Sequence, residues 1–445
     1  MANWPHLPRS ELIETSVETE TAAQAEPQPS EPFSGGRGAF RALRHRNFRL
    51  FFGGQFTSLI GTWMQSVAQG WLVLKLTNSS LMLGVVSFAG YVPVLIVTLF
   101  AGVVVDHVDR RRLIVATQTL LMLSAFVLAA LTWTGVVRVE HVAALAAFSG
   151  LVTAFDMPGR QTFVVEMVGR EDLPNAIALN SMIFNGARVV GPAIAGLLIS
   201  VIGVAGCFFL NGASYLAVIW SLLEMNLVAR EPVRLGGAML NRLREGLNFI
   251  RNHRASFYLL LLIAINAGFG MQYAVLTPVF ARDILHGGAR AYGFLLAAQG
   301  AGALLGAYVL ASRRSASALR QNLVAGLFGG AVGIFVFGVS GWMWLSLVAQ
   351  MAIGAGLINH SAVTNTMLQM FVSDELRGRV MSMYTLSFIG LAPLGSLEVG
   401  YVGERLSPQI AVVASSITSL ACGVILATRL GLIAEAQESV VERPS

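Results

Sequence analysis

Two oppositely charged residues, Asp156 and Arg160, lie four positions apart inside a long apolar segment of the chain. On a helix this spacing brings the two side chains within ion-pair distance. A carboxylate that alternates between an arginine partner and a proton could couple proton entry to a change of shape, and Arg188 in the next apolar segment is a second possible partner. A static bridge from Asp156 to Arg160 or to Arg188 explains the same residues. The sequence therefore predicts either a proton-coupling group or a structural or gating pair at Asp156.

Glu398 is the acidic residue that lies deep in an apolar segment of the second half of the chain. A charged side chain surrounded by hydrocarbon is costly and is a functional candidate by default. We therefore consider Glu398 as the titrating group or as a contact to a substrate cation. A position facing an outer vestibule explains it equally well.

The first long apolar segment carries many polar residues for a membrane-spanning helix. Five of them can share one helical face by spacings of three, four and seven: Gln55, Thr62, Gln65, Ser66 and Gln69. Lipid would exclude such a face, so we expect it to line a substrate cavity or to pack against another helix. Trp63 in the same segment suits either a bulky aromatic ligand or packing.

Later segments add candidates for the same substrate cavity. Asn266 and Gln272 give the seventh apolar segment a similar polarity, and His360 lies within the tenth. A single histidine in such a place is either a hydrogen-bonded packing residue or a proton site.

Composition defines the surroundings of these residues. Of the 445 residues, 55% are hydrophobic and 12% are charged, and the mean hydropathy is +0.66. Soluble proteins carry about 25% charged residues. So little polar surface excludes a soluble enzyme, a disordered protein and a nucleic-acid-binding protein. The two cysteines, Cys207 and Cys422, have no metal-binding spacing.

Apolar stretches long enough to cross a bilayer, about 20 residues each, follow one another from Phe48 onward. We predict twelve helices, at 48–75, 81–105, 113–136, 142–165, 175–200, 206–226, 256–284, 291–312, 319–340, 342–370, 379–403 and 408–430. In hydrocarbon the backbone must satisfy its own hydrogen bonds, and these stretches are far longer than barrel strands. The predicted fold class is therefore an all-α membrane protein.

The polar segments divide the chain into five regions. We predict a disordered acidic cytoplasmic tail at 1–40, six-helix bundles at 41–226 and 256–430, a cytoplasmic linker at 227–255, and a cytoplasmic C-terminal tail at 431–445. Within the linker, residues 238–252 can form an amphipathic helix along the inner leaflet or a solvated connection.

The formal net charge of +6 is unevenly distributed. Of the 30 lysines and arginines, 24 fall on one side of the predicted membrane, five on the other, and Arg188 lies within it. Because lysine and arginine collect on the cytoplasmic side, we expect a multi-pass protein of the plasma (cell inner) membrane with both termini in the cytoplasm.

An internal repeat relates the two bundles. Gly102 and Arg110 match Gly306 and Arg314 at an offset of 204 residues, and the segment 171–173 matches 374–376 at an offset of 203. Two unrelated pairs with nearly the same offset indicate two homologous bundles. Parallel repeats of this kind are a transporter architecture with the substrate site near mid-membrane.

The sequence contains no G-x-x-x-x-G-K-[ST] motif that would hold ATP. We therefore expect no cofactor, no metal and no catalytic residues, and an ion or solute gradient, such as that of the proton, as the energy source. The expected partners are a small-molecule substrate and the lipid bilayer, without nucleic acid, and the protein is expected to act as a monomer.

The segment that begins at Gly102 resembles the major facilitator signature between helices 2 and 3. Gly102, Asp106, Arg110 and Arg111 match that signature, whereas His107 and Asp109 depart from it. The segments 154–161, 175–180 and 191–192 look like the branch of the enterobactin exporter and macrolide efflux proteins. The resemblance covers about 40–430. It implies the major facilitator fold, twelve helices in two pseudo-symmetric bundles, and a conformational latch formed by the four matching residues that holds the outward-facing state.

Together these observations predict a proton-coupled exporter of an amphiphilic small molecule, such as a drug or a siderophore, that works by rocking of the two bundles. An uptake carrier or uniporter of the same fold is the alternative within transport. A membrane scaffold or sensor that retained the fold is the alternative outside it.

Overall fold

The computed structural model describes residues 40–169, 171–225, 247–312 and 315–441, and this part of the chain is helical without strands. Its helices are α1 (Arg46–Thr77), α2 (Ser80–His107), α3 (Arg110–Trp133), α4 (Val139–Val168), α5 and α6 (the two arms of Leu173–Leu223), α7 (Arg254–Ile284), α8 (Gly288–Ser312), α9 (Ala316–Val339), α10 (Met343–Phe371), α11 (Leu376–Arg405), α12 (Pro408–Thr428) and α13 (Leu430–Val441). The bounds of α1 to α12 lie close to the predicted segments.

The 51-residue stretch Leu173–Leu223 is two helices joined at Gly203. Gly203 has φ 72°, in the left-handed region that favours glycine. Both ends of the stretch meet the start of α1: His45 Nε2 lies 2.7 Å from Asp172 Oδ2, and Arg46 Nη2 lies 3.8 Å from Glu224 Oε2. The chain therefore reverses direction at Gly203, and α5 (173–202) and α6 (204–223) are antiparallel.

Ten helices in the described residues are long and apolar enough to cross a membrane when Leu173–Leu223 is counted once. The polar helix α1 is not among them, although its 32 residues extend about 48 Å at 1.5 Å per residue. Adding α1 and separating α5 from α6 gives twelve segments of spanning length in this part of the chain.

Two helix pairs form the seam between the first half, α1–α6, and the second half, α7–α12. Helix α2 packs against α11 and α5 packs against α8. Glycines allow both approaches: a Cβ at Gly400 would lie 3.1 Å from Gly84 Cα, and one at Gly293 would lie 2.7 Å from Gly196 Cα. Because α2 corresponds to α8 and α5 to α11 in the repeat, the seam consists of the same contact formed twice, as expected for two related bundles.

The hydrophobic core differs between the two ends of the helices. We call the end at which α1 begins and α12 ends the terminal face, and the end at which α1 ends the distal face. At the distal face one buried cluster contains residues of both halves, among them Leu74, Phe208, Tyr273 and Phe337.

Near the terminal face each half has a cluster of its own. Phe51 and Phe163 belong to the cluster of the first half, and Leu323 and Met367 to the cluster of the second half. Three hydrogen bonds between the halves, Ser80–Glu404, Arg188–Gln299 and Asn78–Arg282, lie between the middle of the helices and the distal face. The two halves are thus joined distally and have separate cores toward the terminal face.

The predicted tails and the predicted linker are described only in part. The predicted tail at 431–445 contains the helix α13, whose Ile433 is fully buried in the cluster of the second half. Arg320 Nη1 also donates a hydrogen bond to Gln437 Oε1 at 2.8 Å. Most of the predicted tail at 1–40 and of the amphipathic stretch at 238–252 lies outside the described residues; 247–252 is helical.

Candidate functional site

Asp156 is a fully buried carboxylate on α4, with 0% of its surface exposed. Its Oδ2 forms an ion pair with Arg160 one turn later. Its Oδ1 accepts hydrogen bonds from Thr117 Oγ1 at 2.7 Å and Gln118 Nε2 at 2.9 Å, both on α3. The buried carboxylate is therefore both ion-paired and hydrogen-bonded, as a buried acidic side chain requires. Of the two bridges that the sequence allowed, the structure forms the one to Arg160 and not the one to Arg188.

Arg188 lies at the middle of α5 and makes its contacts along the seam. Its Nη2 donates to Gln299 Oε1 of α8 at 3.1 Å, and its guanidinium lies 5.6 Å from the centre of the Trp63 ring. Gln299 Nε2 donates to Tyr273 Oη at 2.8 Å, and that hydroxyl donates to Gln350 Oε1 at 3.0 Å. A run of hydrogen bonds therefore joins α5 to α8, α7 and α10 across the two halves.

Gln299, Tyr273 and Gln350 were missed by the sequence reasoning. Gln299 is 111 positions from Arg188, so no local spacing indicates the contact. Tyr273 follows the predicted cavity residue Gln272, but a single tyrosine in an apolar segment carries no signal of its own. A list of the amide side chains within each apolar segment would have included Gln299 and Gln350.

The polar residues of α1 do not share one environment. Gln65 Oε1 accepts a hydrogen bond from Asn211 Nδ2 of α6 at 2.6 Å, and Gln55 is buried. Thr62 and Ser66 are exposed, and their hydroxyls donate to carbonyls one turn earlier. Gln69 is half-buried. The predicted face is therefore divided: part of it packs within the first half, and part of it stays open.

Glu398 is exposed on α11, on the same side of the helix as Leu394 and Tyr401. The opposite side of α11 packs against α2 and α7, where Ser396 and Gly395 approach glycines of those helices. Within the described residues Glu398 takes part in no ion pair and no hydrogen bond. The structure thus does not bring Glu398 together with Asp156 or Arg188.

His360 lies inside the second half and not at the seam. It is 3% exposed, and neither ring nitrogen has a hydrogen-bond partner among the described residues. It lines a cavity of about 10 Å³ together with Asn266 and Ser419, close to the smallest volume that holds one water molecule. Gln272 Nε2 donates to Ala267 O in its own helix at 2.9 Å. Of the predicted cavity residues of α7 and α10, Asn266 and His360 therefore line a small space within one half, and Gln272 is not among its lining residues.

The four residues of the predicted latch are described only in part. Arg110 forms an ion pair with Glu166 of α4, and Arg111 Nη2 donates to Leu223 O at 2.7 Å. The surroundings of Gly102 and the Asp106 side chain lie outside what the structure describes, so the latch stays a prediction. Asp109, which departs from the signature, caps α3 by accepting the Arg112 N–H at 2.8 Å.

The chain is similar to known membrane transporters. The sequence model of the transmembrane secretion effector family matches residues 37–443. The Staphyloferrin A transporter of Staphylococcus aureus is 24% identical over 355 residues, which are 78% of this chain and 87% of the relative. The multidrug efflux pump Tap of Mycolicibacterium fortuitum is 28% identical over 378 residues, which are 83% of this chain and 92% of the relative.

A solved structure has the same fold. The nucleoside transporter NupG superimposes with a TM-score of 0.68 at 12% identity, covering 87% of this chain and 99% of that one. At this identity the similarity shows the fold alone. That fold agrees with the predicted all-α membrane protein.

Proposed function

We propose that this chain, which belongs to the transmembrane secretion effector family of major facilitator transporters, exports an amphiphilic small molecule such as a drug or a siderophore in exchange for protons. One observation carries the proposal: the two halves share a core at the distal face and have separate cores at the terminal face. A transporter in this state takes up its substrate from the terminal face. Rocking of the halves about the seam would then open the distal face.

The distribution of arginines supports a cytoplasmic terminal face, because lysine and arginine collect on that side of a membrane. The clusters Arg110–Arg112 and Arg377–Arg379 both lie there. With that orientation the structure faces inward, and an exporter would load from the cytoplasm. The relatives named as a Staphyloferrin A transporter and a multidrug efflux pump support a small-molecule substrate. The proposed location is the bacterial inner membrane, and the proposed functional unit is a monomer without a cofactor.

Asp156 is our candidate for the proton-coupling group. It is a fully buried carboxylate in a membrane-spanning helix, and its partner Arg160 keeps 24% of its side chain exposed. Arg160 can therefore exchange Asp156 for water while a proton neutralises the carboxylate. This exchange would change the charge inside the first half without leaving an isolated buried anion.

Inverted membrane vesicles containing the protein test the proposal. We would impose a pH gradient and measure the accumulation of a panel of dyes, antibiotics and catecholate siderophores. We expect gradient-driven accumulation of at least one compound, and we expect Asp156→Asn to abolish its dependence on the gradient while leaving binding intact. The control is Glu140→Gln, because the Glu140 side chain is 70% exposed at the distal face and pairs with Arg138 of the same half.

Each other outcome points elsewhere. Accumulation that does not depend on the gradient rejects proton exchange. Unchanged coupling in Asp156→Asn moves the coupling role to Glu398. Accumulation only in vesicles of the native orientation indicates an uptake carrier, and no accumulation of any compound in either orientation favours a scaffold or sensor.

A further inference from the structure

We infer that Arg188 binds an anionic oxygen group of the transported molecule, so that the substrate class is an amphiphile with an acidic head and an aromatic or apolar body. This inference rests on the proposed function, because it assigns the substrate of the same seam. It gives Arg188 a role other than pairing with Asp156.

The first observation is a positive charge without a negative partner. A guanidinium stays protonated in proteins, and Arg188 lies sixteen residues into α5, near the middle of its length. Among the ion pairs of the described residues none includes Arg188. A charge at this depth is costly unless it serves a ligand, an ion pathway or a pairing.

The second observation concerns the N–H donors of Arg188 that do not bind Gln299. A guanidinium carries five N–H donors, and in the described part of the chain Arg188 uses Nη2 for Gln299 Oε1. Gln299 is held in this orientation because its Nε2 donates to Tyr273 Oη. Arg188 is only half-buried, so a ligand can reach its other donors. An oxyanion with two oxygens matches that fork, since such pairs form two parallel hydrogen bonds.

The third observation is an aromatic surface beside the Arg188 guanidinium. The Trp63 ring lies 5.6 Å from the Arg188 guanidinium and packs against Phe184 in an edge-to-face arrangement with ring centres 5.8 Å apart. Two aromatic side chains next to a cation provide an apolar surface and a polar anchor within one site, as small-molecule sites require. An aromatic acid complements both parts.

The position of Arg188 explains how such a ligand would affect transport. The hydrogen bonds from Arg188 through Gln299 and Tyr273 cross from one half to the other. An anion on the remaining donors would share the guanidinium with Gln299. The site therefore lies where substrate binding can change the contact between the halves.

The competing explanation is that Arg188 only ties the halves together through Gln299. Binding of two matched probes to the purified full chain separates the explanations: 1-pyrenebutyric acid, which is anionic, and its methyl ester, which is neutral. We expect the wild type to bind the acid more tightly than the ester. We expect Arg188→Gln to weaken binding of the acid by about 10- to 100-fold, the range for a hydrogen bond to a charged group, and to leave the ester within about twofold.

Two further variants keep the test decisive. Arg188→Lys retains the charge without the fork and should keep part of the preference for the acid, which also covers the case in which Arg188→Gln does not fold. Gln299→Leu removes the hydrogen bond between Arg188 and Gln299 and should fully retain the preference for the acid over the ester. Equal loss of both probes in Arg188→Gln, or no preference for the acid in the wild type, overturns the inference.

The inference and the proposed export fail separately. If vesicles accumulate neutral or cationic compounds while the purified protein shows no preference for the acid, export stands and the role of Arg188 is wrong. If the acid binds through Arg188 but no vesicle accumulates any compound, the role of Arg188 stands and export is wrong.

Discussion

Glu404, at the end of α11, caps α2 of the other half across the distal seam. Its Oε2 accepts the backbone N–H of Ser80 at 2.7 Å and that of Leu81 at 3.4 Å. These are the first residues of α2, whose N–H groups have no partner within the helix and whose dipole favours a negative charge. We expect Glu404→Gln to shift the protein from the state closed at the distal face to the state open there.

The size of the shift follows from the contact. A hydrogen bond to a charged group contributes about 1.5–3 kcal/mol, and a charge at an exposed helix N-terminus about 0.3–1 kcal/mol. Glutamine keeps an acceptor, and water screens Glu404 because it is exposed. About 1 kcal/mol should therefore be lost, which corresponds to a change of about fivefold in the equilibrium between the two states.

Labelling of engineered cysteines measures this equilibrium. Ser396→Cys is nearly isosteric and places a thiol in the buried distal seam, where Ser396 is 0% exposed. Tyr308→Cys reports from the terminal half of α8, where Tyr308 is 75% exposed. The native Cys207 and Cys422 are buried and add little background. We expect Glu404→Gln to increase the rate at which an impermeant maleimide labels the thiol of Ser396→Cys by about fivefold and to reduce labelling of Tyr308→Cys slightly.

The matched control is Glu140→Gln, because Glu140 lies at the distal face with its partner Arg138 but away from the seam. An equal labelling rate of Ser396→Cys with and without Glu404→Gln, or an equal increase from Glu140→Gln, would refute the capping argument. Slower labelling in Glu404→Gln would mean that the charge favours the open state.

Two further changes probe packing at the seam and burial in the second half. Gly293→Val should separate α5 from α8, because a Cβ there would lie 2.7 Å from Gly196 Cα. We expect the free energy of unfolding to fall by about 1–3 kcal/mol, measured as a lower melting temperature. The control is Gly329→Val, because a Cβ at Gly329 meets nothing within 4 Å. His360→Leu should keep or raise the melting temperature, because both ring nitrogens lack partners in the described structure. Gln350→Leu should lower the melting temperature, because it breaks the buried hydrogen bond from Tyr273. If transport by His360→Leu no longer depends on pH, His360 is instead a proton-binding group of the transport cycle.

The helices could be predicted from the sequence because the bilayer sets their length. The predicted segments 175–200 and 206–226 leave the turn at Gly203 between them, as the structure has it. The sequence does not predict the helix α13, because its twelve residues are too few to span a bilayer. Its burial depends on Ile433 reaching a cluster formed by distant helices.

The candidate site could be predicted only where partners are close in sequence. The bridge between Asp156 and Arg160 follows from a spacing of four on one helix. The contact from Arg188 to Gln299 depends on how α5 packs against α8, and the exposure of Glu398 depends on which side of α11 faces the core. Neither can be read from hydropathy, because apolar residues occupy all sides of these helices.

The surroundings of Asp156 limit how proton exchange and rocking can act together. A proton drives a conformational change only if its site binds it with different affinity in the two states. The partners Thr117, Gln118 and Arg160 all belong to the first half, so rocking of that half as a rigid body would leave the proton affinity of Asp156 unchanged. Coupling at Asp156 therefore requires a rearrangement within the first half during the cycle, either the exchange of Arg160 into water or a shift of α4 against α3. The ion pair between Arg110 and Glu166 joins the same two helices at the terminal face, so such a shift would reach the start of α3, where the signature segment ends.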